Sequence, residues 1–451
     1  PPSSLPPFSS IDCYLVSQTR HHGHGDNLCH LHNVSYDMSI FARDPLVRPV
    51  VEKYVNTRHA DQPYVHFPPG FLTADCEVVK DRWQEKYMPG WNADLTVKAY
   101  KQVSPGALHP TCEQYIDHNI LMIQRDTFAN FFHDSEDLVN AFLSLAILKW
   151  KLSDTQLYFT DLYPEGPFWS IWQKAFSSHS PPAHSSTLSS DALSLSDPTV
   201  GGPLTAWDLR QLYGPHNKRP AKKTCFRSVA VGIYGPAAPM TVASWNTPCS
   251  HTALIRAYSD FVIRGLNLQT LTHYAQSSPS KTVQVTYMAR RASTVWPEKK
   301  FCNDTSSFFL CRLWDGQWGI RKLGRMLKNE EAVLKALKGL ETRSYLNNAH
   351  VVVRDVDYNK LSMEEQITVD LQTDIMVGPH GAGLMHNIFM RDRAVLVEMH
   401  IDGSGANRHF HNLAHWYGRK YIGQDFSQPV NTELLSNLIA GAIESMDLNA
   451  Y

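Results

Sequence analysis

No segment of this 451-residue chain is apolar for the ~18–20 residues that a membrane-crossing helix needs. The nearest stretch, AFLSLAILKW at 141–150, is too short and reads as a buried helix. Charge is scarce. Asp, Glu, Lys and Arg make up 19% of the chain, against a usual ~25%. The 42 basic and 43 acidic side chains nearly cancel, leaving a net charge of -1. A sequence-independent nucleic-acid binder needs a basic surplus, so no nucleic-acid partner is expected, although a local basic pocket is still allowed. The eight cysteines include no C-x-x-C pair, which argues against zinc ribbons and thioredoxin-type centres. No repeat of solenoid or propeller period is visible. The chain opens PPSSLPPFSS, with neither Met nor a signal-like apolar core, and a targeting or anchor segment is expected to have been removed.

Apolar residues reach 43%, enough for a sizeable core, and the length suggests about two or three domains. The even cysteine count permits four disulfides, with Cys13, Cys29, Cys225, Cys249, Cys302 and Cys311 as candidates. Two N-x-[ST] sequons make Asn33 and Asn303 candidate glycosylation sites. Together these favour a secretory compartment. Residues 177–203 are rich in Ser, Pro and Gly and read as a mobile surface insertion, and 1–10 as a similar tail. Segment 21–32, HHGHGDNLCHLH, holds five histidines near Cys29. Its glycine-rich spacing fixes no ligand geometry, so it reads as a solvated loop and no metal site is expected.

Strands are expected at 120–125, 156–160 and 228–235, with helices near 129–149 and 252–266. From 282 the alternation is regular, with strands at 282–288, 350–356, 374–378, 394–399 and 420–423. Helices intervene at 330–340, after the capping box Ser362-x-x-Glu365, from 383 and at 409–418, and a last helix fills 431–447. This pattern specifies an α/β fold with a doubly wound parallel sheet, whose ligands bind beyond the carboxyl ends of the strands.

Four constellations can carry chemistry. The turn Gly378-Pro379-His380-Gly381-Ala382-Gly383-Leu384-Met385-His386 follows an apolar strand and opens a helix. Its glycines admit a close ligand, and a helix start favours an anion, so a diphosphate suits it. The spacing is G-x-x-G-x-G, which is not the dinucleotide fingerprint. Asn130, His133 and Asp137 lie at offsets 0, 3 and 7, along one helical stripe that also carries Glu136 nearby. A His and a carboxylate one turn apart can share a proton or orient a hydroxyl; alternatively these acids only complement the helix dipole. Arg290 and Arg291 follow a strand and can neutralise a phosphate. Glu398, alone in the apolar strand AVLVEM, needs partners and suits the two hydroxyls of a ribose or a salt bridge. Trp416 and Tyr417 read as packing aromatics. Asp355-Val356-Asp357 has D-x-D form but is not needed as a metal site.

These residues together resemble glycosyltransferase family 61, most specifically at DIMVGPHGAGLMHNIFM (374–390) followed by Glu398, and at NFFHDSED (130–137). The resemblance spans roughly 120–425, and segment 408–418 is closer to the β-1,2-xylosyltransferase branch than to the O-linked N-acetylglucosaminyltransferases. It implies a GT-B type fold of two Rossmann-like lobes facing a cleft. Residues 1–250 would form the acceptor-side lobe, 251–430 the nucleotide-sugar lobe, and 431–451 a helix returning to the first lobe. It implies a disulfide between Cys225 and Cys249, an inverting transfer of a sugar, xylose favoured, from a UDP-sugar to a glycan or glycoprotein, and a Golgi or ER lumenal protein on a membrane anchor. No cofactor is required in this reading. Donor contacts fall to Arg290, Arg291, His380, Gly381, Ala382, Gly383, Leu384, His386 and Glu398, and the base is Asp137, His133 or Glu136. The alternatives are a UDP-GlcNAc-dependent protein O-GlcNAc transferase and a glycan-binding protein of the same fold without turnover.

Overall fold

The structure, a computed structural model, describes residues 8–18, 25–39, 67–76, 96, 98–105, 112–128, 130–161, 163, 165–177, 202–205, 223–233, 235, 238–241, 252–269, 281–291, 326–401 and 403–448. The chain forms two compact units, Pro1–Ala238 and Pro239–Tyr451, with the boundary twelve residues before the expected one.

The first unit is built on a mixed sheet. Its strands are β1 (Ser10–Gln18), β2 (Gly25–Asp37), β3 (Leu72–Ala74), β4 (Tyr100–Gln102), β5 (Gln114–Ile123), β6 (Thr155–Phe159), β7 (Leu204–Thr205) and β8 (Lys223–Val231). The order is β4-β3-β2-β8-β5-β6-β7, with β1 paired to β2. Strands β8, β5, β6 and β7 run parallel, whereas β2 is antiparallel to β8, β1 and β3. Thus only part of this unit is doubly wound. Helix α1 (Phe131–Leu148) connects β5 to β6, and α2 (Trp169–Ala175) follows β6.

Two readings of the N-terminal region are corrected. The histidine-rich segment is strand from Gly25 onward, because Leu28, Leu31 and Val34 are fully buried and anchor it as a central strand. Residues 21–24, most of the tail and almost all of the insertion lie outside the described residues. Asn33 is not an accessible glycosylation site. It is 1% exposed, its Nδ2 donates to the Phe8 carbonyl, and its Oδ1 accepts from Tyr115. Asn303 lies outside the described residues.

Of the disulfides, one joins two expected cysteines and one differs from expectation. Cys13 and Cys29 face each other across β1 and β2 and are joined. Cys225 is joined to Cys112, not to Cys249: parallel pairing of Tyr115 with Cys225 brings the start of β5 against β8. Cys249, Cys302 and Cys311 lie outside the described residues, and Cys76 is a free thiol.

The second unit has a five-stranded, all-parallel sheet of β9 (Thr282–Met288), β10 (His350–Val356), β11 (Ile375–Pro379), β12 (Val395–Ile401) and β13 (Lys420–Phe426). The order is β10-β9-β11-β12-β13. Its helices are α3 (Ala253–Gly265), α4 (Glu330–Lys338), α5 (Met363–Leu371), α6 (His409–Tyr417) and α7 (Thr432–Glu444). The capping box of Ser362 and Glu365 opens α5 as expected. On one sheet face Val283, Val285, Ile375, Val377, Val395, Val397 and Met399 pack with Val333 and Leu337 of α4 and Leu435, Ile439 and Ile443 of α7. Burial on both faces explains why these strands are almost continuously apolar. Helix α7 is therefore part of this unit's own core.

Candidate functional site

The strand order of the second unit places β9 beside β11, with β10 and β12 on opposite sides. That is the switch point of a doubly wound sheet, where a ligand crevice opens beyond the carboxyl ends. Arg290 follows the end of β9 by two residues, and His380 and Gly381 follow β11 directly. The His380 amide donates to the Met399 carbonyl at 2.9 Å, so the β11 backbone stays pinned to β12 into the turn.

A Cβ on Gly381 would run into the Arg290 guanidinium, so the guanidinium lies against the bare backbone of the turn. The two segments the sequence singled out thus meet. After Gly381 the chain enters a 3-10 helix, Ala382–Phe389, where an α-helix was expected. Its first N–H groups have no partner within the helix, so the turn offers amide donors beside a cation. That combination suits a diphosphate.

Leu384 is 1% exposed and packs against Gly378 at the start of the turn. His386, in the 3-10 helix, is buried against α5, its Nδ1 2.5 Å from Asp370 Oδ2, while Tyr358 donates to Asp370 Oδ1. Arg291 is held by Glu330 at 3.0 Å and by Asp355 at 2.8 Å, and its charge is neutralised there. This pairing also uses Asp355 of the D-x-D sequence, and Asp357 accepts from the Asn359 amide.

Glu398 is fully buried on β12. His380 Nδ1 contacts its Oε1, and Tyr421 donates to its Oε2 at 2.8 Å. Burial pushes the carboxyl up, but His380, His400 and Tyr421 outweigh it and hold it at about 2. Both oxygens are engaged by protein groups, so a ribose diol would have to share them. Sequence reasoning missed Tyr421 and His400. The signal was period two: His400 lies two residues beyond Glu398, on the same sheet face.

In the first unit the predicted stripe divides. Asn130 is the N-cap of α1, its side chain accepting from the Phe132 amide at 3.2 Å. Asp137 is 2% exposed; its Oδ2 accepts from the Asp126 amide at 2.7 Å, and Gly235 packs against its Oδ1. Burial pushes its carboxyl well above the ordinary range. His133 is the accessible member, with a side chain 33% exposed. Its Nδ1 lies 2.8 Å from Glu136 Oε2 and 3.1 Å from Asp126 Oδ2. Asp126, three residues past β5, was missed in the sequence. A carboxylate on Nδ1 leaves Nε2 as the basic nitrogen, the arrangement that orients a histidine general base. These three side chains could also hold a metal ion, but the imidazole between two carboxylates already accounts for their closeness.

Residues 245–397 match the family model described as Glycosyltransferase 61, a span that takes in Arg290 and the Gly378–Gly383 turn. Among curated proteins, the chain is similar to the EGF domain-specific O-linked N-acetylglucosamine transferases. It is 22% identical to that of Drosophila melanogaster, over 64% of this chain and 42% of the relative. It is 23% identical to that of Bos taurus, over 78% and 54%, and 24% identical to that of Gallus gallus, over 78% and 53%. The chain spans about half the length of these relatives.

Proposed function

We propose that this chain, which belongs to glycosyltransferase family 61, transfers a sugar from a nucleoside-diphosphate donor to a hydroxyl of a glycoprotein. The observation that carries this reading is the contact of the Arg290 guanidinium with Gly381 at the β9/β11 switch point. A cation and amide donors preorganised at one place stabilise a departing diphosphate without rearranging during the reaction. The donor is a UDP-sugar. The names of the similar proteins favour N-acetylglucosamine, whereas segment 408–418 favours xylose. The α/β architecture of both units is read as GT-B type. Two disulfides fit an oxidising, lumenal compartment, which we assign as the Golgi or ER.

The transfer is an inverting single displacement. The acceptor oxygen bonds to the anomeric carbon as the bond to the diphosphate oxygen breaks. His133 Nε2 takes the acceptor proton, with Glu136 and Asp126 holding Nδ1–H and stabilising the imidazolium that forms. Asp137, buried and already accepting an amide, supports the loop between β5 and α1.

The test incubates the protein with UDP-GlcNAc or UDP-xylose and glycoprotein acceptors, then reads the acceptors by mass spectrometry. Transfer of either sugar supports the reading, and the sugar transferred decides the donor. Nucleotide binding without transfer from any donor would favour the glycan-binding alternative.

A further inference from the structure

Glu398 is in register with Gly378 on β11 and with Gly423 on β13, so no side chain flanks its carboxylate at its own level. The room is filled by groups two residues along: His380 on one side, Tyr421 on the other and His400 on the same strand. The fit is tight. A Cβ on Gly423 would come within 2.5 Å of Tyr421 Oη and 2.9 Å of His400 Cε1. From the surface inward the groups are continuous. Asp425, whose side chain is 82% exposed, lies 3.2 Å from His400 Nδ1. His400 Nε2 lies 3.0 Å from Tyr421 Oη and 3.6 Å from Glu398 Oε2. Glu398 then meets His380, next to the Gly381 that supports Arg290. A buried anion surrounded by donors on three sides does more than fill space, since burying it unpaired would be costly.

We propose that Glu398 is a positioning residue for His380, setting its tautomer so that Nε2–H meets the β-phosphate of a nucleoside-diphosphate donor. A carboxylate can only accept, so its contact requires the His380 Nδ1 to carry a proton. The carboxylate of a catalytic triad fixes the tautomer of its histidine in the same way. Tyr421 and His400 keep Glu398 from rotating away. This inference rests on the reading of the Gly381 turn as a diphosphate site. It differs from a ribose contact by Glu398, which would act on the nucleoside and not on the second phosphate.

The experiment is calorimetric titration of the full chain with UDP and with UMP, for the unaltered protein, Glu398→Gln and Tyr421→Phe. Glu398→Gln keeps the shape and removes the charge. Its UDP affinity should fall about 10- to 100-fold, the worth of a hydrogen bond to a charged group, with UMP affinity unchanged. Tyr421→Phe should show the same split between UDP and UMP, smaller in size, and carries the comparison alone if Glu398→Gln does not fold. Equal losses for UDP and UMP would overturn the inference and leave the transferase reading standing. An unaltered protein that binds neither nucleotide would overturn both.

Discussion

In the second unit, Glu398 accepts from Tyr421 and contacts His380, and these partners hold it ionised at about 2 despite complete burial. In the first unit, Asp134 and Asp137 are as deeply buried, but Asp134 Oδ2 and Asp137 Oδ1 have no hydrogen-bond partner among the described residues. Burial pushes Asp134 up to about 7 and Asp137 well above the ordinary range. Both regions lie beyond the carboxyl ends of parallel strands that are neighbours in the sheet but not consecutive in the chain: β9 and β11 in one, β5 and β8 in the other. Each carries a histidine against a carboxylate. The difference is what surrounds the acid. Where side-chain donors converge, the carboxylate keeps its charge. Where burial outweighs the favourable neighbours, charge is suppressed, and the accessible His133 is left as the group able to exchange protons.

The sharpest way to break this comparison is to remove the working cation or base from each side. His133→Ala should lower kcat by about 100- to 10,000-fold, the usual worth of a general base, while UDP affinity stays unchanged. Arg290→Ala should lower kcat by about 100-fold or more and weaken UDP binding as well. If His133→Ala weakened UDP binding and Arg290→Ala did not, the assignment of roles would be reversed. Gly381→Ala comes next. The added methyl must displace the Arg290 guanidinium, so UDP affinity should drop toward the Arg290→Ala value in titration calorimetry. An unchanged affinity would show that Arg290 does not need that position.

The second unit was legible in the sequence because its strands are apolar on both faces and its turns carry Gly, Ser and Glu at fixed offsets. The meeting of Arg290 with Gly381 followed from strand ends alone, which any parallel sheet aligns. The first unit was less legible. In β2, His30 and His32 share a strand face with the buried Leu28 and Val34 while Leu31 is buried on the other, so no apolar-polar alternation marks the strand. The partner of Cys225 depended on which strand lies beside β8, a long-range choice that spacing does not encode. The helical offsets 0, 3 and 7 placed Asn130 on a stripe, but the helix begins one residue later and uses Asn130 as its cap.

A smaller effect separates the two kinds of acid through pH. A group raised on folding, such as Asp134, contributes stability that is full below its ordinary value and is lost as pH rises through about 7. Glu398, depressed on folding, contributes stability above its ordinary value that is lost as pH falls through about 2. Between about pH 4 and 7 the Asp134 carboxyl therefore weakens the first unit while Glu398 supports the second. Asp134→Asn should flatten that decline and stabilise α1 near neutral pH by at most ~4 kcal/mol. Hydrogen exchange of α1 peptides at pH 5 and 8 measures it, and an equal pH dependence in both proteins would place the penalty elsewhere.

The smallest expected effect is Asp137→Asn, and it decides between the two candidate bases. If burial keeps Asp137 protonated, the amide is nearly isosteric with the neutral acid and still accepts from the Asp126 N–H through its carbonyl oxygen. The variant should then fold and retain kcat within about threefold, because a contact between neutral groups is worth only ~1 kcal/mol. A base at this position would instead lose its function entirely, since an amide cannot take a proton from an attacking hydroxyl. Steady-state kcat of Asp137→Asn at saturating donor therefore separates a structural acid from a catalytic one. A loss as large as that of His133→Ala would move the base from the exposed imidazole to the buried carboxyl.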